Sequence, residues 1–112
     1  MMENPKFTII RSKDGRCRFN LRAKNGEIVL RSKGYTTKHN CESRIQSVKT
    51  NAPYGSRYNV CEAANGQCYF DLVALDGEII GTGENYITRP AMEHGIAVVQ
   101  AIAPTAPVED QT

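Results

Sequence analysis

The chain has 112 residues, of which 40% are hydrophobic and 23% charged, with a formal net charge of +2. That composition belongs to a folded domain rather than a disordered or fibrous chain, and no apolar run approaches the roughly 20 residues that cross a bilayer. The opening Met1-Met2-Glu3-Asn4-Pro5 has no apolar leader, so the expected location is cytoplasmic and membranes are not an expected partner. The four cysteines, Cys17, Cys41, Cys61 and Cys68, show no paired spacing and are read as reduced thiols.

The small net charge hides an uneven distribution. Residues 1–53 carry twelve Lys and Arg against four Asp and Glu, or +8. Residues 54–112 carry two, Arg57 and Arg89, against eight acids, or −6. Such a dipole bears on association and partners, and head-to-tail pairing of copies is one outcome it allows.

An internal repeat organises the chain. Shifted by 51 residues, Phe7–Pro53 aligns with Tyr58–Pro104 without gaps. About a third of the 47 aligned positions are identical, among them Gly15/Gly66, Cys17/Cys68, Phe19/Phe70, Leu21/Leu72, Tyr35/Tyr86 and Val48/Val99. That is a duplication. One domain, 1–112, is expected from repeat one (6–53), a short link, repeat two (57–104) and a tail (105–112).

Each repeat reads as three strands and a helix. Asp14-Gly15 and Asn65-Gly66 mark the first hairpins. A three-residue loop with a Gly bulge there puts Phe7 and Ile9 beside Leu21 and Phe19. Asn25-Gly26 and Asp76-Gly77 read as two-residue type I′ turns, with Ala23 facing Ile28 and Leu21 facing Leu30. Alternation then directs Cys17, Phe19, Leu21, Ala23, Ile28 and Leu30 to one face. The helix follows, capped by Thr37, with Cys41, Ile45, Val48 and Ala52 as its apolar stripe. Its copy is capped by Thr88, with Pro90 in the first turn and a stripe of Met92, Ile96, Val99 and Ala103. A unit of about 50 residues is marginal alone, so two repeats should share one sheet. The tail is either loose or a short edge strand.

Ala23-Lys24-Asn25-Gly26-Glu27-Ile28, Ser32, Tyr35-Thr36-Thr37-Lys38 and Ile45 through Pro53 together resemble the YegP-like family of small tandem-repeat proteins. The resemblance spans nearly the whole chain. It implies an α+β fold of two β-β-β-α repeats: one antiparallel-dominated, pseudo-twofold sheet with both helices on one face. It also implies that the strand after each helix crosses to the other unit, Tyr58–Cys61 serving both repeats and Val108–Gln111 closing the sheet near Phe7. Arg44 and Gly83 depart from the family pattern, which has Gly and Ser there. The family is one of unknown biochemical function and implies no catalytic residue.

Candidate sites lie on the sheet face opposite the helices. In repeat one Arg16, Arg18, Arg22, Lys24, Arg31 and Lys33 should point outward, with Arg18 opposite Lys33. Repeat two has Gln67, Tyr69, Val73, Leu75, Thr82 and Glu84 at those positions, so the fold does not require the cations. A basic face suits an acidic protein or a phosphate backbone, and the competing reading is a solvated surface. In repeat two Tyr69, Val73, Leu75 and Ile80 should form an exposed apolar cluster, a possible interface. Nothing resembles a catalytic constellation: no G-x-S-x-G elbow, no P-loop, and His39 and His94 do not align between repeats. The expectation is a non-enzymatic binding module without metal or cofactor, whose partner is a protein or nucleic acid. It is expected as a monomer holding an internal pseudo-dimer rather than an obligate oligomer.

Overall fold

The computed structural model describes residues 2–112. Repeat one contributes β1 (Lys6–Arg11), β2 (Cys17–Arg22), β3 (Ile28–Arg31) and α1 (Lys38–Asn51). A 3-10 turn at Gly55–Arg57 leads to β4 (Tyr58–Glu62), β5 (Cys68–Val73), β6 (Ile79–Thr82), α2 (Arg89–Ile102) and β7 (Val108–Asp110). The seven strands form one sheet in the order β4-β5-β6-β3-β2-β1-β7. All neighbours are antiparallel except β1 and β7. The two repeats meet at a single pair, Arg31 with Thr82. Those residues are 51 apart, so the pseudo-twofold axis passes between them.

All four hairpins close the same way. Gly15, Gly26, Gly66 and Gly77 take φ between 83° and 89°, and no other residue type among the described residues has positive φ. In each, the glycine N–H donates three residues back, as from Gly26 to Ala23 at 2.8 Å. The preceding Asp or Asn oxygen accepts from the N–H two residues on, as Asn25 does from Glu27 at 3.0 Å. That side-chain bond holds Asn25 and Asp76 in an ordinary turn and leaves the left-handed step to glycine. The expected three-residue loops at Gly15 and Gly66 are therefore present. The type I′ turns expected at Gly26 and Gly77 are not.

The difference moves side chains. Leu21 pairs with Leu30 as expected, but Arg22 pairs with Ile28, with a bulge between. The same bulge lies between Leu72 and Val73 in repeat two. One extra residue reverses the alternation beyond it. Ile28 therefore shares the face of Arg22, while Val29 turns inward and is buried. In repeat two Ile79 is 50% exposed and Ile80 only 1%.

Both helices begin as the sequence suggests. Thr37 accepts from the Asn40 N–H at 3.1 Å and Thr88 from that of Ala91 at 3.3 Å, each satisfying a donor that the helix cannot. Cys41, Ile45, Val48 and Ala52 are buried, as are Met92, Val99 and Ala103. α1 packs on β2 but also on β5 and β6, and α2 packs on β5 and β3. Each helix thus covers strands of both repeats, over one core that contains Phe7, Phe19, Phe70, Leu30 and Leu72. Phe7 meets Phe19 edge-on at 6.0 Å, and the equivalent Tyr58 meets Phe70 at 5.7 Å.

Part of the charge dipole is satisfied inside the molecule. Of six ion pairs among the described residues, four join a cation of the first half to an acid of the second: Lys6–Glu109, Arg31–Glu84, Lys38–Asp110 and Arg44–Glu78. Arg44, where the family pattern has glycine, lies over the Tyr35 ring at 5.9 Å and donates Nη2 to Glu78 Oε2 at 3.1 Å. Its Nε is 2.7 Å from Oε1 but makes no hydrogen bond.

Candidate interaction face

With both helices on one side, the opposite side of the sheet is open over β2, β3, β5 and β6. Arg18 on β2 is exposed, its Nε donating to Ser12 Oγ at 2.7 Å. Arg16 is exposed at the end of the first hairpin, 3.6 Å from Asp14. Arg31 on β3 is exposed and pairs with Glu84. Lys33 is exposed, its ammonium 5.7 Å from the Tyr35 ring centre. Two other expected members differ. Arg22 is half-buried and donates Nη1 to the Gly26 carbonyl at 2.9 Å, and Lys24 sits in the hairpin loop beyond the end of β2. The structure thus brings Arg18 and Arg31 onto neighbouring strands, with Lys33 just past the end of β3 and Arg16 at their margin. Exposed guanidinium groups of this kind keep most of their solvation and can exchange partners cheaply.

A hollow of about 530 Å³ opens beside the repeat junction, lined in part by Arg31, Lys33, Glu78, Ile79, Gly81 and Thr82. It lies where β3 and β6 share a single pair. The pairing of Arg31 with Glu84 was missed at the level of sequence. The repeat offset supplied the signal, because Glu84 is the copy of Lys33.

The apolar cluster expected on repeat two does not assemble as drawn. Ile80 belongs to the core, because the bulge turns it inward, and Ile79 takes the outer position. Leu75 is 81% exposed in a hairpin loop, while Tyr69 and Val73 are half-buried on β5. Around Tyr69 the face is polar. Thr82 Oγ1 donates to Asp71 Oδ1 at 2.8 Å, and the Cys61 thiol approaches Asp71 Oδ2 at 3.7 Å. The interaction of the Tyr69 phenol with Cys61, with the negative field there, raises its pKa above the ordinary value.

The β1 end of the face is closed, which the sequence did not announce. Residues 2–5 lie against it: the Met2 N–H donates to Glu109 at 2.6 Å, and Lys6 Nζ donates to the Met2 carbonyl at 2.7 Å and to Glu109 at 3.2 Å. Lys6 is left 6% exposed and Thr8 1%.

Cys17 and Cys41 are buried, and burial pushes the Cys41 thiol up to about 11, far from a nucleophile's range. Cys68, expected inward like Cys17, is only partly buried. No group of His, Cys, Asp and Glu among the described residues could hold a metal ion. Nor is any described helix long and apolar enough to cross a membrane.

Comparison with known proteins gives a consistent set of relatives. A family model described as a domain of unknown function, DUF1508, matches residues 12–59 and again 63–110, the two matches offset by the same 51 residues as the repeat. A UPF0339 protein of Bordetella pertussis is 42% identical over 106 residues, covering 95% of this chain and 96% of the relative. The UPF0339 protein YegP of Escherichia coli (strain K12) is equally similar over the same span. The solution structure of yegP from E. coli, a protein of unknown function, superposes with a TM-score of 0.92 at 39% identity, over 100% of this chain and 97% of that one. A UPF0339 protein of Shewanella oneidensis superposes with 0.89 at 35% identity, over 94% and 89%.

Proposed function

Because the chain belongs to the DUF1508 family, whose tandem repeats share one sheet here, we propose that it is a non-enzymatic binding module, presenting the open sheet face to an acidic protein partner. One observation carries this reading: Arg16, Arg18, Arg31 and Lys33 stand exposed on a face that both helices leave bare, while Gln67, Tyr69, Thr82 and Glu84 hold the equivalent positions. Nothing in the fold requires cations there, and unlike the Lys6–Glu109 pair, which is largely buried, they are free to trade partners. The junction hollow adds an apolar wall, Ile79, beside Arg31 and Lys33, which suits a carboxylate on a short apolar stem.

Nucleic-acid binding through the same face is the second reading, favoured by the adjacency of Arg18, Arg31 and Lys33. The face of repeat one offers no aromatic platform for bases, so contacts would be to phosphates and strongly salt-dependent.

An amide-resolved NMR titration separates them. An acidic model peptide should shift β2 and β3 amides, and an Arg18→Glu/Arg31→Glu variant should lose those shifts. If instead short mixed-sequence DNA or RNA shifts these strands at low salt and loses about a decade of affinity near physiological salt, the second reading holds. No shifts with either probe would overturn both.

A further inference from the structure

The two ends of the sheet are not equivalent, and the difference defines a vacant strand site. By the 51-residue offset β4 is the copy of β1: Tyr58 corresponds to Phe7, Asn59 to Thr8 and Val60 to Ile9. The outer edge of β1 is filled by β7, which runs parallel to it with Phe7 beside Val108, Thr8 beside Glu109 and Ile9 beside Asp110. The Phe7 N–H donates to Pro107 and the Ile9 carbonyl accepts from Gln111. Among the described residues no strand lies on the outer edge of β4. Ala63 donates to Gln67 across the hairpin, so alternation assigns Asn59 and Cys61 to the β5 ladder and turns the N–H and C=O groups of Tyr58, Val60 and Glu62 outward. Exposure follows: Ile9 is 1% exposed and Val60 44%.

The cations that fasten β7 are also duplicated. Glu109 is held by Lys6 and Asp110 by Lys38. Their copies are Arg57 and Arg89, the only two Lys or Arg in residues 54–112. Neither is committed to a strong partner. Arg57 donates to the Asn51 amide oxygen at 3.0 Å, and Arg89 faces Glu93 within its own helix with 67% of its side chain exposed. Nor does β4 carry the proline or lysine that commonly blunt a free edge.

We infer that the β4 edge is a docking site for an extended acidic segment of a partner protein, added parallel to β4 with the pattern apolar-acidic-acidic that β7 shows on β1. The apolar residue would lie beside Tyr58 on the helix side. The first acid would point to the open face towards Arg57, the second back towards Arg89 at the start of α2. Main-chain bonds supply the attachment and the two carboxylates select the sequence. The site is distinct from the basic face of β2 and β3.

The test is an NMR titration of the full chain with a blocked peptide of the sequence of residues 104–112, Pro-Thr-Ala-Pro-Val-Glu-Asp-Gln-Thr. β7 itself stays on β1 because its tether gives it a high effective concentration. Shifts should centre on Tyr58–Glu62 and Arg89. A peptide with Gln and Asn in place of the two acids should bind about tenfold more weakly, as should the intact peptide to an Arg57→Glu/Arg89→Glu variant. A Lys13→Glu variant, which reverses an exposed charge in the first hairpin loop, should bind it unchanged. Shifts confined to β2 and β3, shifts on β1 and β7, or none at millimolar peptide would each overturn the inference. So would sedimentation showing a dimer that protects the Tyr58–Glu62 amides, since a second copy would then own the edge.

Discussion

Leu30 and Gly81 are equivalent residues that meet near the pseudo-twofold axis, and only one side chain fits between them. A Cβ on Gly81 would lie 2.7 Å from Leu30 Cδ2. Gly83 likewise yields space to the Phe70 ring, where its copy Ser32 instead accepts from the Phe19 N–H at 2.9 Å. Gly95 yields to the Tyr86 hydroxyl, where its copy Arg44 reaches across to Glu78. Gly81→Ala should therefore cost about 1–3 kcal/mol by overpacking. Adding Leu30→Ala should give a loss smaller than the sum of the two single losses, because the second change vacates the space that the first one needs. Urea denaturation of the two single variants and the double variant checks this, and strict additivity would mean that the two positions do not compete. The departures at Arg44 and Gly83 were visible in the sequence. What each does was not: Gly83 makes room for Phe70 of its own repeat and Arg44 reaches Glu78 of the other, and both are contacts that only the folded chain creates.

β7 shows how a three-residue strand is kept in place. Glu109 is held at a pKa of about 2, against an ordinary 4.5, by Gln111, the Met2 N–H and Lys6. Asp110 is held below its ordinary 3.8 by Lys38 and Thr112. The folded chain keeps both carboxylates ionised where the unfolded chain takes up protons, so their contribution is complete above about pH 4.5 and lost as pH falls towards 2. Acidification through that window should lower the urea midpoint and speed amide exchange in β7 before β5 or β6. Lys38→Gln should reduce the effect, and a flat midpoint between pH 4.5 and 2 would contradict it. The residues alone leave the tail open between coil and strand, because Val108-Glu109-Asp110 is too short to declare itself and its partner, β1, lies about a hundred residues away; only the family resemblance points to a strand there. The hairpins show the opposite case. Their positions were plain in Asp-Gly and Asn-Gly, but the loop length was misjudged at Gly26 and Gly77. Both turn types want those residues, and that one-residue difference sent Ile80 inward.

The two repeats share one sheet and one core. α1 spans strands of both halves, α2 reaches back to β3, and four ion pairs cross between them. Fragments 1–53 and 54–112 should each lack cooperative structure, as units of this size with half their packing partners missing do. Mixing them should restore the helical circular dichroism, more weakly at high salt because charges of +8 and −6 attract. A fragment that melts cooperatively alone would contradict this.

The duplication, the helix faces and caps, and the inward set from Phe7 to Leu21 were determined by the sequence itself. The duplication shows as identity at a fixed offset, and the others depend on periodicity or a capping residue, signals that lie within a few turns of chain. Tertiary structure alone decided which cations stay free and which sheet edge stays open. Arg22, Arg31 and Lys6 look alike as residues, yet one is tied to a carbonyl, one shares an acid of the other repeat and one is buried beneath the N-terminal segment. An ion pair or a strand partner is a matter of proximity in space, and here it is the crossing of the chain from each helix to the far strands that creates the proximity.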